Sequence, residues 1–214
     1  MSTLILTSHS LGNKHEDLAN VTVPVMRRYC ERQGYAFDVE NNAYDQGVFL
    51  RRLELTRKHL ADHETVVFLD YDVLIMNHSL RIEEMRGPGS LTMARENLRW
   101  WPINNGVQIW RQGMGANLLL DRLILDEPIW IKYSWLWQHH IWNMIQEHPW
   151  AKKSISLVPA KQINATHQNG VGRWQLGDWA IHFLDFDIED KIKLSKSYLP
   201  LIGKGDGTFY PLLK

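Results

Sequence analysis

Apolar and polar positions along the first third of the chain fall into alternating blocks. Thr3 to Thr7 (TLILT) is a short β-rich apolar run, the pattern of a buried strand. A polar stretch from Ser8 to about Val21 reads as a loop. Thr22 is placed to cap a helix that carries Pro24 in its first turn, runs to Gln33 and stops at Gly34. Tyr35 to Val39 alternates as a second strand, Asn41 to Gln46 is polar, and Val48 to about Ala61 spaces Leu50, Leu53, Leu55 and Leu60 as a helix with charges between them. Thr65 to Leu69 (TVVFL) is continuously apolar and β-branched, as in a strand covered on both faces.

This β-α-β-α-β order predicts parallel strands with right-handed crossovers and an α/β fold, a doubly wound, mainly parallel sheet flanked by helices. Ligands of such sheets bind beyond the carboxyl ends of the strands. Ser8–Asn13, Asn41–Asp45 and Asp70–Asp72 are therefore expected to line one crevice. Farther on, Leu91 to Ala94 and Gly106 to Trp110 read as strands, the second after an Asn104-Asn105-Gly106 bend. Gly115 to Leu125 and Trp135 to Gln146 read as helices, the latter ended by Pro149. Ile155 to Val158 and Trp179 to Phe183 are short apolar runs. No repeat, low-complexity segment or linker divides the chain, so one domain is expected over 1–214. Two halves fall within it, 1–75 and 90–190.

Composition narrows the function. The 214 residues balance 24 Lys+Arg against 24 Asp+Glu, which leaves no basic surface for nucleic acid. No run of about 18 apolar residues marks a membrane span. The single cysteine, Cys30, excludes an internal disulfide and suits a reducing compartment. The first residues read as a strand rather than a leader, so a soluble, cytoplasmic protein is expected. Asn20, Asn77 and Asn164 begin glycosylation-type triplets that carry little weight in that setting. Eight of the ten tryptophans lie between Trp100 and Trp150. Flat rings of this kind stack on sugars or fill cores.

Several groupings carry candidate chemistry. Asp70-Tyr71-Asp72 follows the apolar strand directly, and alternation puts both carboxylates on one side with Tyr71 opposite. Two carboxylates that close repel unless a cation lies between them, and Mg²⁺ or Mn²⁺ would leave positions for diphosphate oxygens. A solvated turn has the same pattern; Asp185-Phe186-Asp187 repeats it and reads as a surface turn. His182, within the apolar run Trp179–Phe183, suits either a core or a third ligand, and as a ligand it favours Mn²⁺. Asn104-Asn105-Gly106 forms a simple turn or offers amides to sugar hydroxyls. His139 and His140 are adjacent and point to different helix faces, so they cannot chelate together. Gln138, beside them, is uncharged and offers an amide oxygen to developing positive charge, but no base. Arg51, Arg52, Arg57 and Lys58 follow the second crevice loop. They read as a solvated helix face, or one of Arg51 and Arg52 reaches a diphosphate.

In this order the segments RRLELTRKHLADHETVVFLDYDVLIMN, INNGVQIWR, WQHHIWNMI, INATHQ and GDWAIHF, with the earlier CERQGYAF, resemble GT-A-fold glycosyltransferases. They are most similar to the galactosyl/mannosyl/xylosyl-transferase family of yeast α-galactosyl- and α-mannosyltransferases and plant xyloglucan xylosyltransferases. The likeness runs from about Leu4 to Phe183. It implies a retaining, Mn²⁺- (or Mg²⁺-) dependent transfer of a hexosyl or pentosyl group from a nucleotide-diphosphate sugar, a UDP- or GDP-sugar, to a glycan or other hydroxyl acceptor. Position by position it makes Asp70, Asp72 and His182 the metal ligands and puts Gln138 beneath the anomeric carbon, with Asp72 and Gln138 serving the chemical step. Ser8, Arg51, Arg52, Tyr71, Asn105 and Gly106 would face the donor, and Trp135 and Trp137 the acceptor. The chain departs from the family at Trp137, where many relatives are acidic, and at Leu184-Asp185, where many have glycine.

Two other readings use the same features. A nucleotidyltransferase shares the sheet and the metal carboxylates, but the loop SHSLGNKHED has one glycine and one lysine where such enzymes have a Gly-rich basic loop. A catalytically inactive carbohydrate-binding protein would account for the tryptophans but not for both aspartates and His182.

Overall fold

The computed structural model of the protein describes residues 2–41, 48–96, 102–130, 136–167 and 172–204. The chain runs β1 (Thr3–His9), α1 (Lys14–Gln33), β2 (Ala36–Asn41), α2 (Val48–His59), β3 (Thr65–Asp70), β4 (Val73–Ile75), α3 (Ile82–Met85), β5 (Leu91–Arg95), β6 (Ile103–Arg111), α4 (Met114–Leu125), α5 (Glu127–Trp130), α6 (Leu136–Glu147), α7 (Pro149–Ser154), β7 (Ile155–Pro159), α8 (Ala160–Ile163), β8 (Ala165–Thr166), β9 (Ala180–His182) and α9 (Ile188–Tyr198). Six strands form the main sheet in the order β2-β1-β3-β6-β5-β7. It is a mainly parallel α/β sheet: β6 alone runs antiparallel to its neighbours.

Strand alternation divides the core in two. Ile5, Val67 and Leu69 face α1, where Val25, Met26 and Tyr29 are buried with Trp179. Leu4, Leu6, Val66 and Phe68 face the other side, against Leu53 of α2, Leu119 and Leu123 of α4, and Trp110, Trp130 and Trp137. Each such side chain taken fully out of water contributes about 1.5–3 kcal/mol. Among the described residues no helix is long and apolar enough to cross a membrane. Cys30 is buried on α1, and burial pushes its thiol up to about 12, so it is an inert core group.

The first helix starts earlier than the polar pattern predicts. Asn13, not Thr22, caps it, its side chain accepting from the His15 N–H at 2.9 Å, with Glu16 and Asp17 in the first turn. Of the stretch taken for a loop, Ser8 and His9 belong to β1, and Lys14 to Val21 are two helical turns in which Leu18 and Ala19 are buried. Thr22 is interior to the helix. Its hydroxyl donates to the carbonyl of Tyr71, and Pro24 is carried inside α1 without ending it. Gly34 does end it, with φ 72° in the left-handed region that favours glycine.

β6 also begins before the expected bend. The strand starts at Ile103, and Asn104-Asn105-Gly106 lies within it. Met93 of β5 pairs with Gln108 while the next residue, Ala94, pairs with Asn104, so Asn105 to Val107 have no partners on β5. This bulge pushes the Asn105-Gly106 backbone out of the β5–β6 ladder.

Among the described tryptophans of this region, three are core, Trp142 is partly buried against them and Trp150 is exposed. Trp110, Trp130 and Trp137 are each at most 1% exposed. Trp137 packs against Phe49 and Trp130, with ring centroids 5.6 and 5.3 Å away, and is too deeply buried to offer a face to an acceptor sugar. Trp135, the other residue expected at the acceptor, lies outside the described residues, as do Trp100 and Trp101.

Replacing Trp137 with alanine should therefore cost about 3–5 kcal/mol of stability, the usual range for a buried tryptophan, read by urea unfolding. An unchanged midpoint would return this ring to the acceptor side.

Candidate metal centre

A second, three-stranded sheet in the order β4-β9-β8 builds the site. β3 ends at Asp70, the chain turns through Tyr71 and Asp72, and β4 starts at Val73. β9 pairs antiparallel with β4 in a register that sets His182 against Val73. This brings His182 next to Asp72: Nε2 lies 3.1 Å from Asp72 Oδ1. One ligand atom each from Asp70, Asp72 and His182 falls within 4.8 Å of the others. Two ligands on one Mg²⁺- or Mn²⁺-like ion, with bonds of about 2.1 Å, sit at most roughly 4 Å apart. The three groups thus need only a small closure to share such an ion.

The chain supplies cations of its own to this cluster. Arg52 is buried in α2, its guanidinium 4.2 Å from the centre of the Phe68 ring. It donates to Asp70 Oδ1 and, over 3.3 Å, to the carbonyl of Asn105. Lys191 of α9 donates to Asp72 Oδ2 at 2.7 Å. Burial alone would push the Asp72 carboxyl up, but the charges and hydrogen bonds of His182 and Lys191 outweigh it and hold the group far below the usual carboxylate range. Burial would lower His182, yet the Asp72 carboxylate beside it and Asp70 behind raise it above 6.5. Two aspartates that would otherwise repel are thus balanced by Arg52, Lys191 and the imidazole of His182, whose charged form Asp72 favours. An incoming divalent ion would compete with a proton for that imidazole.

The β6 bulge supports the ring of His182. A Cβ on Gly106 would overlap His182 Cε1 and Nδ1 and lie 3.1 Å from Asn104 Oδ1. Only glycine lets the imidazole pack there. The bulge is held by the Gly106 N–H donating to Asn104 Oδ1 at 2.8 Å and by Asn164 Nδ2 donating to the same oxygen at 2.6 Å. The Asn105 carbonyl accepts from Gln108 Nε2 at 3.3 Å as well as from Arg52.

The residues expected at the donor fall in different places. Ser8 pairs with Asp70 across the β1–β3 ladder, beside the carboxylates. Asn105 and Gly106 border the centre through the bulge. Arg52 touches Asp70, whereas Arg51 is exposed on the other side of α2 and pairs with Glu40 and Glu54. Tyr71 points away from Asp70 and Asp72. It packs with Leu18 and Ala19 of α1 and with Ile188 and Ile192 of α9, and its hydroxyl meets His15 Nδ1 at 2.5 Å. Gln138 is half-buried in the first turn of α6. His140 faces Asp126, with Nε2 2.9 Å from its carboxylate, which also accepts from the exposed Arg122. The second Asp-x-Asp is a turn: Asp185 has φ 56°, and Asp187 caps α9 by accepting from the Asp190 N–H. Lys191 was missed, being one of several lysines in an ordinary amphipathic stretch. Asn104 was read as a turn residue or an amide for sugar hydroxyls, and Asn164 as the start of a glycosylation-type triplet, so their support of the bulge was not foreseen.

No protein-family model and no curated protein gives a significant match to this chain. Solved structures do. A glycosyltransferase involved in the glycosylation of the major capsid of PBCV-1 is 14% identical with a TM-score of 0.69, covering 92% of this chain and 100% of its own. The glycosyltransferase GlyE of Streptococcus pneumoniae TIGR4 is 11% identical with a TM-score of 0.55. Its apo form is 12% identical with a TM-score of 0.57. This chain spans 60% of the GlyE chain. What these likenesses share is the fold: the protein has the α/β architecture of glycosyltransferases.

Two measurements check the centre. Gly106→Ala should displace His182 and cost about 1–3 kcal/mol as an overpacked site, with loss of Mn²⁺ binding; a variant that binds Mn²⁺ like the wild type would refute the packing argument. The second is pH dependence in EDTA. Asp72, depressed, stabilises the fold above its unfolded value of about 3.9. His182, raised, stabilises it fully below 6.5 and ceases to as pH climbs through the folded value. The stability gap between wild type and His182→Gln should therefore be widest between about pH 4 and 6.5 and shrink by pH 8.5. A gap that stays constant to pH 8.5 would contradict the pairing.

Proposed function

We propose that the protein is a metal-dependent glycosyltransferase. It would move a hexosyl or pentosyl group from a UDP- or GDP-sugar to a hydroxyl of a glycan or similar acceptor, with retention of configuration. The observation that carries this reading is the convergence of Asp70, Asp72 and His182 at the carboxyl end of β3 in a sheet with the glycosyltransferase fold. Sheets of this kind bind ligands at that edge.

The ligand chemistry, two carboxylates and one imidazole, fits Mn²⁺, with Mg²⁺ as the alternative. When bound, such an ion supplies charge stabilisation to a departing diphosphate. Arg52 holds Asp70 in place, and Lys191 holds Asp72. Both cations lie close enough to the cluster to offset the further negative charge that a diphosphate brings, a preorganised stabilisation of the leaving group. Ser8, Asn105 and Gly106 border the donor position, with residues 1–75 on its nucleotide side and 90–190 on its sugar side. Gln138, uncharged, would place its amide oxygen near the anomeric carbon as positive charge grows there. The leaving phosphate oxygen would take the acceptor proton, as the hydroxyl attacks from the face the phosphate leaves.

A thermal-shift screen of UDP- and GDP-sugars with and without Mn²⁺ tests the reading. Stabilisation by one nucleotide-diphosphate sugar that requires Mn²⁺ is expected. Stabilisation by a nucleoside triphosphate with sugar phosphate would indicate nucleotidyl transfer, and by free glycan alone a binding protein. Asp72→Asn should abolish metal-dependent turnover of the donor with the fold intact. Gln138→Ala should lower kcat more than donor affinity, and a pure loss of affinity would remove its charge-stabilising role.

A further inference from the structure

The buried groups beside the metal centre include two atoms that need one another. His182 presents Nε2 to Asp72 and the candidate ion site, so when Nε2 acts as a ligand the proton of the ring resides on Nδ1. That Nδ1 is buried and has no hydrogen-bond partner among the described residues. Glu96, the residue after β5, is 8% exposed, and its Oε1 is likewise buried and unpartnered. An orphaned donor and an orphaned carboxylate oxygen are each costly when kept from water. A structure that holds both in one place relieves the cost by joining them.

The two groups are neighbours through the β6 bulge. Glu96 is tied to β6 by its N–H, which donates to the Pro102 carbonyl at 3.0 Å, and its carboxylate shares a hydrogen bond with the Asn104 side chain. Asn104 Oδ1 lies beside Gly106, against which the Nδ1 edge of His182 packs. His182 is close enough to Glu96 for its charge to act on that carboxylate. Asn164, fully buried, also presents an unpartnered Oδ1 while its Nδ2 binds Asn104. Two acceptors without donors, Glu96 Oε1 and Asn164 Oδ1, thus belong to side chains tied to Asn104, beside which the Nδ1 edge packs. Metal-ligating histidines almost always give their second N–H to such an acceptor, which fixes the ring and raises its basicity.

We propose that Glu96 is a positioning residue for the metal centre: its Oε1 accepts the Nδ1–H of His182, directly or through one water, and aims Nε2 at the ion. This rests on the reading of Asp70, Asp72 and His182 as metal ligands. It assigns a role to a carboxylate that belongs to no metal-ligand motif and touches no donor in that reading. It also explains why Asn104 and Gly106 occur together. Asn104 holds Glu96 on one side of the ring, and Gly106 leaves room for the ring to meet it.

The test is a Mn²⁺ titration of the full chain at pH 7.5, following free Mn²⁺ by electron paramagnetic resonance. Glu96→Ala should weaken Mn²⁺ binding by 10- to 100-fold, the usual effect of removing an outer partner. Glu96→Gln, which keeps the shape and an acceptor oxygen but not the charge, should fall between Glu96→Ala and the wild type; it also serves if the alanine variant fails to fold. In ¹⁵N-histidine spectra with Mg²⁺, the Nδ1–H signal of His182 should shift in both variants. His182→Ala and Asp72→Asn are measured alongside. If they lose Mn²⁺ while both Glu96 variants bind it like the wild type, the proposal is wrong and the metal centre stands. If all four bind it like the wild type, the metal reading itself falls.

Discussion

Two aspartates at the end of one strand must be kept from repelling each other, and much of the protein is arranged to meet that constraint. Asp72 is nearly out of water, where a lone carboxylate would be protonated or expelled. It stays ionised because β9 delivers His182 to one of its oxygens and α9 delivers Lys191 to the other. Asp70 is met by Arg52 from the opposite face of the sheet. The small sheet, the packing of α9 on α1 and the buried guanidinium of α2 all converge on these two carboxylates. Removing one partner of such a buried pair is costlier than the pair is stabilising, since the remaining charge is left uncompensated. The same balance explains how the site stays folded without an ion and still accepts one: the protein's own cations and a divalent ion answer one electrostatic problem.

The first half of the fold could be read from the chain because its strands are covered on both faces and its helices are amphipathic, so periodicity and burial agree. β3 and the two carboxylates after it emerged from that pattern alone. The start of α1 did not, because its first two turns are mostly polar and Asn13 was read as part of a loop; one capping side chain outweighed the hydrophobic signal. The bulge in β6 was taken for a turn because Asn-Asn-Gly signals both, and only pairing with β5 distinguishes them. The tryptophans suggested sugar stacking, yet those described beside β6 and α6 are consumed by packing, the commoner fate of a large ring.

At the centre itself, Asp70, Asp72 and His182 stood out by residue type and by the apolar runs that carry them. Arg52 could not be told from Arg51 by sequence, since adjacent helical residues face different directions and only the position of α2 on the sheet decides which one is buried. Lys191 and Glu96 were invisible for a related reason. Each is a charged residue in an ordinary setting, and what makes it special is a contact with a residue far away along the chain.

That distance has a kinetic meaning. Lys191 meets Asp72 across 119 positions, and the β4–β9 ladder closes a loop of similar span. Contacts this remote form only after a large loss of chain entropy, so they are expected late in folding. The ion-binding set is therefore complete only once the last strand has docked. A half-made chain, or one whose C-terminal elements have come loose, holds Asp72 without its partners and no imidazole. Capacity to bind a divalent ion would then act as a report on finished assembly, with tight binding confined to molecules in which both halves have met.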